Sequence, residues 1–181
     1  MNRWKLIRRL HVIALVAAVT ACSEPTSPDG SSVSQRFETE ETTPQAPALI
    51  SCPTDQWRFR FALIGPLGGT LALDGHLLSF PQGALSGFRL SLVSLIVPPS
   101  EFMEVNLSVN GALHTVFGEP VTVVIDYSRC TGPELDASPL RVWQIDPFTK
   151  AFIADMGGVD DKVARTVTFT TDHFSGYAIA Q

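Results

Sequence analysis

Hydrophobic and polar residues alternate in short runs over most of the chain. From about Cys52 onward, the apolar runs are separated by glycine, proline, asparagine and aspartate. Short runs bounded by such residues are typical of β-strands. The pattern predicts ten strands, at 58–61, 70–73, 77–80, 89–97, 104–109, 121–127, 140–145, 152–154, 163–169 and 177–180.

Two of the predicted turns carry strong hairpin signals. Asp74-Gly75 and Asn110-Gly111 each follow an apolar run, and both pairs tolerate the positive φ angles of a tight two-residue turn. No window of helical length keeps a 3.6-residue period without a glycine or proline interrupting it. We therefore expect residues 52–181 to form one all-β domain, an antiparallel β-sandwich.

The first 22 residues have the layout of an export signal. A basic start is followed by the apolar run 10–18, which is too short to span a membrane as a helix. Residues 19–22, Val-Thr-Ala-Cys, resemble the lipobox of bacterial lipoproteins. The resemblance implies that residues 1–21 are removed and that Cys22 receives the lipid, whose two or three acyl chains give stable anchoring. The alternative is an ordinary cleaved signal with a cysteine nearby.

The resemblance also predicts where the protein resides. Ser23 follows the lipidated cysteine in place of the aspartate that resembles an inner-membrane retention signal. We therefore expect an exported protein held in the outer membrane of a two-membrane bacterium.

Residues 22–51 have the composition of a linker. They are rich in serine, threonine, proline and glutamate, and before residue 48 Val33 and Phe37 are almost the only large apolar residues. Such a segment buries too little apolar surface to offset its ordering entropy. We expect a disordered tether that holds the folded domain away from the membrane.

Charge excludes two classes of partner. Residues 1–21 contain four of the 13 basic residues and none of the 18 acidic ones, which leaves the mature part with a net charge of −9. An acidic protein of this kind does not suit nucleic acid or the electrostatic attraction of an anionic membrane. Membrane attachment is therefore expected only through the lipid on Cys22.

Four segments of the predicted sandwich resemble the ZU-five domain, a module of ankyrins, netrin receptors, zonula-occludens proteins and many bacterial surface proteins. We call them the four motif segments: 65–71 (GPLGGTL), 80–86 (FPQGALS), 117–121 (FGEPV) and 171–177 (TDHFSGY). They follow one another in the order of that family and extend from about Ile64 to the C-terminus. The resemblance implies a β-sandwich that binds a protein partner.

The last motif segment contains His173-Phe174-Ser175. In some ZU-five domains a similar triplet cleaves itself between phenylalanine and serine. By that resemblance Ser175 would attack the preceding carbonyl, His173 would accept the proton, and water would hydrolyse the resulting ester. The structural alternative is that His173 and Ser175 form hydrogen bonds across the final turn while Phe174 packs in the core.

Cys52 and Cys130 are the two other cysteines of the exported chain. An even pair in an oxidising compartment favours a disulfide, and both residues lie at the ends of predicted strands. Closing a loop of this length would stabilise the fold by roughly 4–5 kcal/mol on the chain-entropy model. The alternative is two free thiols that lie too far apart to join.

Other candidate chemistry is sparse. Histidines and cysteines lack metal-ligand spacing, and the nucleophile, phosphate and dinucleotide motifs are absent, so the sequence predicts no metal, cofactor or enzymatic activity. The aspartates at 155, 160 and 161 are expected in a solvated hairpin turn. Trp57 and Trp143 are expected in the core, with a ligand groove as the alternative.

The sequence predicts a membrane-anchored envelope lipoprotein with a non-enzymatic β-sandwich that binds or spaces an envelope protein. A self-processing domain acting through Ser175 is the second hypothesis. A carbohydrate- or peptide-binding envelope protein is the third, and an exposed aromatic patch would favour it. An exposed apolar strip on one face of a sheet would distinguish binding from a purely structural role.

Overall fold

A computed structural model describes residues 47–85, 87 and 89–181 as an antiparallel β-sandwich. The predicted fold class is confirmed. The signal peptide, Cys22 and most of the linker lie outside the described residues. Within the described part of the chain, no helix is long and apolar enough to cross a membrane.

Thirteen strands and one short helix follow each other along the described chain. They are β1 Ser51–Thr54, β2 Arg58–Ile64, β3 Gly69–Leu73, β4 His76–Phe80, β5 Ser91–Val97, β6 Ser100–Phe102, β7 Glu104–Val109, β8 Val116–Asp126, α1 Glu134–Ala137, β9 Arg141–Ile145, β10 Phe152–Gly157, β11 Val159–Asp161, β12 Thr166–His173 and β13 Gly176–Ala180.

The strands form two large sheets and a small one. The first sheet has the order β10-β9-β13-β7-β5-β2, and the second has the order β11-β12-β8-β4-β3. β1 pairs with β6 in a separate two-stranded ribbon. All recorded pairings are antiparallel, as expected for strands joined by short turns.

Alternation along the strands places the core between the two large sheets. In β5, the inward-facing Val93, Leu95 and Val97 are buried, and they face Val121, Val123 and Ile125 of β8 across the interior. Each buried aliphatic side chain of this size stabilises the fold by roughly 1.5–3 kcal/mol. Each strand therefore also presents an outer face, and the outer face of the first sheet is where the candidate site lies.

The Asp74-Gly75 hairpin is confirmed in full, whereas at Asn110-Gly111 the predicted tight turn is present but the next strand joins the other sheet. Asp74-Gly75 joins β3 to β4 with positive φ at both residues, and Leu73 pairs with His76, so this hairpin is confirmed. Asn110-Gly111 also forms a tight turn, closed by a bridge between Val109 and Ala112. The chain then crosses to the second sheet as β8, because the apolar residues of β8 complete the opposite half of the core.

The Cys52–Cys130 disulfide is present, with a Cα–Cα distance of 4.4 Å, which confirms the predicted bridge. It joins β1 to the segment after β8. Beside it, the Arg129 guanidinium donates hydrogen bonds to the carbonyl oxygens of Cys52 (3.0 Å) and Pro53 (3.3 Å). The start of the domain is therefore fixed to the sandwich by a covalent bond and a charged donor.

Candidate functional site

The first sheet carries an exposed apolar strip along β2 and the neighbouring β5. We call it the β2 strip, and it consists of Trp57, Phe59, Phe61, Leu63 and Leu92. The four side chains at 57–63 are 50–64% exposed. They alternate with Arg58, Arg60 and Ala62, so all four project from the same face of the strand. Contiguous apolar patches of this kind mark interaction sites.

Strand register extends this surface onto β5. Phe59 pairs with Ile96 and Leu63 pairs with Leu92 across the β2–β5 ladder. The rings of Phe59 and Phe61 lie 5.7 Å apart between their centroids and are tilted by 48°. Trp57, Phe59, Phe61 and Ile96 line a shallow groove of about 250 Å³. The strip therefore contains a shallow groove that can accept an apolar side chain.

β2 is also the last strand of its sheet. It pairs with β5 on one side, and within the described residues no strand pairs with its other side. An edge strand presents unpaired backbone N–H and C=O groups, which can form hydrogen bonds with another extended chain. The apolar strip and the free edge therefore lie on the same strand.

The prediction that Trp57 packs in the core is wrong. Period-two alternation identifies two faces of a strand, yet it does not show which faces another layer covers. The side chain of Trp57 projects from the uncovered outer face. Trp143 is partly buried on β9, where its ring packs edge-on against Phe152 at 5.5 Å.

The functional groups of His173 and Ser175 have different hydrogen-bond partners. The Nδ1 atom of His173 lies 2.7 Å from a carboxylate oxygen of Asp172 at the surface. Ser175 is buried, and its hydroxyl donates to the carbonyl oxygen of Ile145 at 3.4 Å. The hydroxyl proton is therefore directed to Ile145, whereas the proposed self-cleavage needs it directed to a base.

The backbone around this triplet is held by hydrogen bonds. The carbonyl oxygen of His173 accepts from the hydroxyls of Tyr177 (2.6 Å) and Thr171 (2.7 Å). Burial raises the pKa of Tyr177 to about 12, so its hydroxyl remains a donor at neutral pH. The carbonyl of Ser175 accepts from the amide of Leu107 at 3.1 Å.

Phe174 joins three of the four motif segments in one aromatic cluster. Its ring packs edge-on against Phe117 at 4.7 Å and against Phe80 at 5.7 Å. Gly68, in the remaining segment, has a φ of +80°, and a β-carbon there would lie 2.2 Å from the carbonyl oxygen of Phe80. The four motif segments therefore meet at one end of the sandwich, and their contacts there are packing contacts.

Of the aspartates at 155, 160 and 161, only Asp161 lies in a solvated hairpin turn as predicted, where its carboxylate accepts the amides of Val163 and Ala164 at 2.9 Å each. Asp160 is largely buried, and its carboxylate accepts hydrogen bonds from the Tyr127 hydroxyl (2.6 Å) and the Leu140 amide (2.8 Å). Asp155 pairs with Arg141 at 2.8 Å. Among the described residues, no group of three or more histidine, cysteine, aspartate or glutamate side chains could hold a metal ion.

Comparison with known proteins gives no match to a protein-family model. It also gives no match to a curated protein.

Proposed function

We propose that this chain is a non-enzymatic, lipid-anchored binding protein of a bacterial cell envelope, and that its β2 strip contacts an envelope protein. The support for the anchor is the sequence of residues 1–22, with its basic start, apolar run and lipobox-like end. The support for binding is the exposed strip, because a sandwich that served only as a spacer would not need four large apolar side chains in solvent.

The free edge of β2 indicates the form of the partner. A polypeptide in extended conformation can continue the sheet by pairing with an edge strand, and its alternate side chains then lie on the outer face beside those of the edge. On this edge the neighbours would be Phe59 and Phe61. We therefore propose that the partner supplies an extended segment with apolar side chains at every second position.

Crosslinking in the producing cell tests the contact. A photoreactive amino acid at Phe61 is expected to give a discrete protein adduct, and the same amino acid at Phe148 is not. Phe148 is a matched control because it is also a highly exposed phenylalanine but lies in the turn between β9 and β10. The Phe59→Ser substitution should remove the adduct at position 61. Equal crosslinking at both positions would contradict the proposed contact.

Fatty-acid labelling tests the anchor separately. The wild-type chain should incorporate a labelled fatty acid and sediment with membranes, and Cys22→Ser should do neither. If the wild-type protein is released without lipid, the ordinary cleaved signal is the correct interpretation of residues 1–22.

A further inference from the structure

A second site lies at the end of the sandwich where β1, β2, β4 and β8 meet. Eight residues line it, and we call it the His76 cavity: Thr54, Arg58, Asp74, His76, Val97, Asp126, Ser128 and Arg129. Its volume is about 300 Å³, the lower limit of typical small-molecule sites. His76 begins β4 and Phe80 ends it, so the cavity and the aromatic cluster are at opposite ends of that strand.

His76 is the buried polar group of this cavity. Its exposed fraction is 4%, and its Nδ1 atom accepts a hydrogen bond from the amide of Asp126 at 3.1 Å. A neutral imidazole that accepts at Nδ1 carries its proton on Nε2. Within the described residues Nε2 has no hydrogen-bond partner, and the ring lines the cavity. The Nε2–H group is therefore free to donate a hydrogen bond to a ligand or a water molecule in the cavity.

The neighbouring charged groups retain hydrogen-bonding capacity. Arg58 pairs with Asp74 through one terminal nitrogen at 3.3 Å. Arg129 uses one terminal nitrogen for two carbonyl oxygens and the other for the Met103 sulfur at 4.0 Å, which leaves its Nε–H without a protein partner among the described residues. Asp126 accepts the amide (2.8 Å) and hydroxyl (2.6 Å) of Ser128 on a single oxygen. Each guanidinium therefore has further donors, and the carboxylate of Asp126 has a second oxygen that can accept.

Charge balance decides between classes of ligand. Two arginines and two aspartates give a net charge of zero, and His76 is neutral at physiological pH because burial lowers its pKa to about 4. An anion or a cation would leave this partly enclosed cluster unbalanced. A neutral ligand whose groups both donate and accept can use the guanidinium donors, the histidine N–H and the aspartate oxygens together.

We propose that the His76 cavity binds a small neutral polyol, such as one unit of a saccharide. Adjacent hydroxyls on a sugar ring can bond to a guanidinium fork on one side and a carboxylate on the other. Arg58 and Asp74 are the half-exposed pair at the mouth, and His76 is the buried donor inside. This site does not include the β2 strip, so either one can fail without the other.

Titration of the whole mature protein by two-dimensional NMR tests the proposal. Glucose, galactose, mannose and N-acetylglucosamine, each raised into the millimolar range, serve as probes, and sodium sulfate serves as the anionic competitor. At least one sugar should shift the amide signals of Gly75, His76 and Asp126, and added salt should leave its affinity unchanged. Shifts with sulfate alone, or with no probe, would overturn the proposal.

Two substitutions locate the binding. Arg58→Gln should weaken the sugar about tenfold, because it removes a charged donor. Arg60→Gln is the matched control, since Arg60 is an exposed arginine two residues along the same strand that does not line the cavity. An equal loss in both variants would place the sugar elsewhere. Unchanged folding of each variant is checked by its thermal unfolding.

Discussion

The ammonium group of Lys150 lies 2.6 Å from a carboxylate oxygen of Glu104, whose side chain is completely buried. Lys150 comes from the turn between β9 and β10, and Glu104 begins β7, so the lysine crosses the outer face of the first sheet. The Lys150 side chain therefore shields the Glu104 carboxylate on the β7 part of this face. The apolar strip lies on the other part, formed by β2 and β5.

Removing the lysine should therefore destabilise the domain strongly. We expect Lys150→Met to lower the free energy of unfolding by about 3 kcal/mol, because it leaves a buried carboxylate without its counter-charge. Urea unfolding followed by tryptophan fluorescence measures the loss. Lys150→Arg is the matched control, and adding Glu104→Gln to Lys150→Met should restore part of the stability. If Met and Arg at position 150 unfold at the same urea concentration, the ion pair does not hold the buried carboxylate.

The disulfide makes a second prediction about stability. Cys52 and Cys130 are 78 residues apart, and a loop of this length corresponds to roughly 4–5 kcal/mol on the chain-entropy model. The double substitution Cys52→Ala, Cys130→Ala should lower the free energy of unfolding by an amount approaching that figure. A reductant should then have no further effect on the variant, whereas it should weaken the wild type. Equal midpoints for the oxidised and reduced wild type would contradict this prediction.

His76 predicts a pH dependence of stability. Burial lowers its pKa from 6.5 to about 4, with the neighbouring Arg129 lowering it further and Asp126 and Asp74 opposing the shift. Below pH 6.5 the unfolded chain takes up a proton that the folded chain does not, so the free energy of unfolding decreases as the pH is lowered. The loss should begin near pH 6.5 and reach roughly 3 kcal/mol by pH 4.

Urea unfolding at intervals between pH 7.5 and pH 4 measures this dependence, because this interval includes the pH range in which a histidine changes its charge. His76→Gln should flatten the curve over that range, and its amide oxygen can still accept from the Asp126 amide. The matched control is His114→Gln, because His114 is exposed. Identical curves for the wild type and His76→Gln would show that the histidine is accessible to protons in the folded state.

Sequence patterns predicted the strands well because most of them obey one local rule. Glu104–Val109 is found within its predicted limits, and β3, β4 and β13 begin one residue before theirs. The three-residue strand β11 was missed, and so was the two-stranded ribbon of β1 and β6. β1 and β6 have four and three residues and pair across a long stretch of sequence, so no local pattern identifies them.

The candidate sites were harder to predict for the same reason. Trp57 was assigned to the core because alternation does not reveal that the outer face of β2 lacks a cover. His76 showed no ligand spacing in the sequence, since Asp126, which fixes its ring, lies 50 residues away. Only the antiparallel pairing of β4 with β8 brings these two residues together.

The peptide bond between Phe174 and Ser175 provides the last prediction. We expect it to stay intact in the purified protein, because the Ser175 hydroxyl donates to Ile145 and His173 pairs with Asp172. Intact-mass spectrometry under native conditions should give one species that includes Ser175–Gln181. Ser175→Ala serves as the control and should have the same mass apart from the lost oxygen. A wild-type species that lacks the last seven residues, absent from the Ala variant, would instead establish self-cleavage.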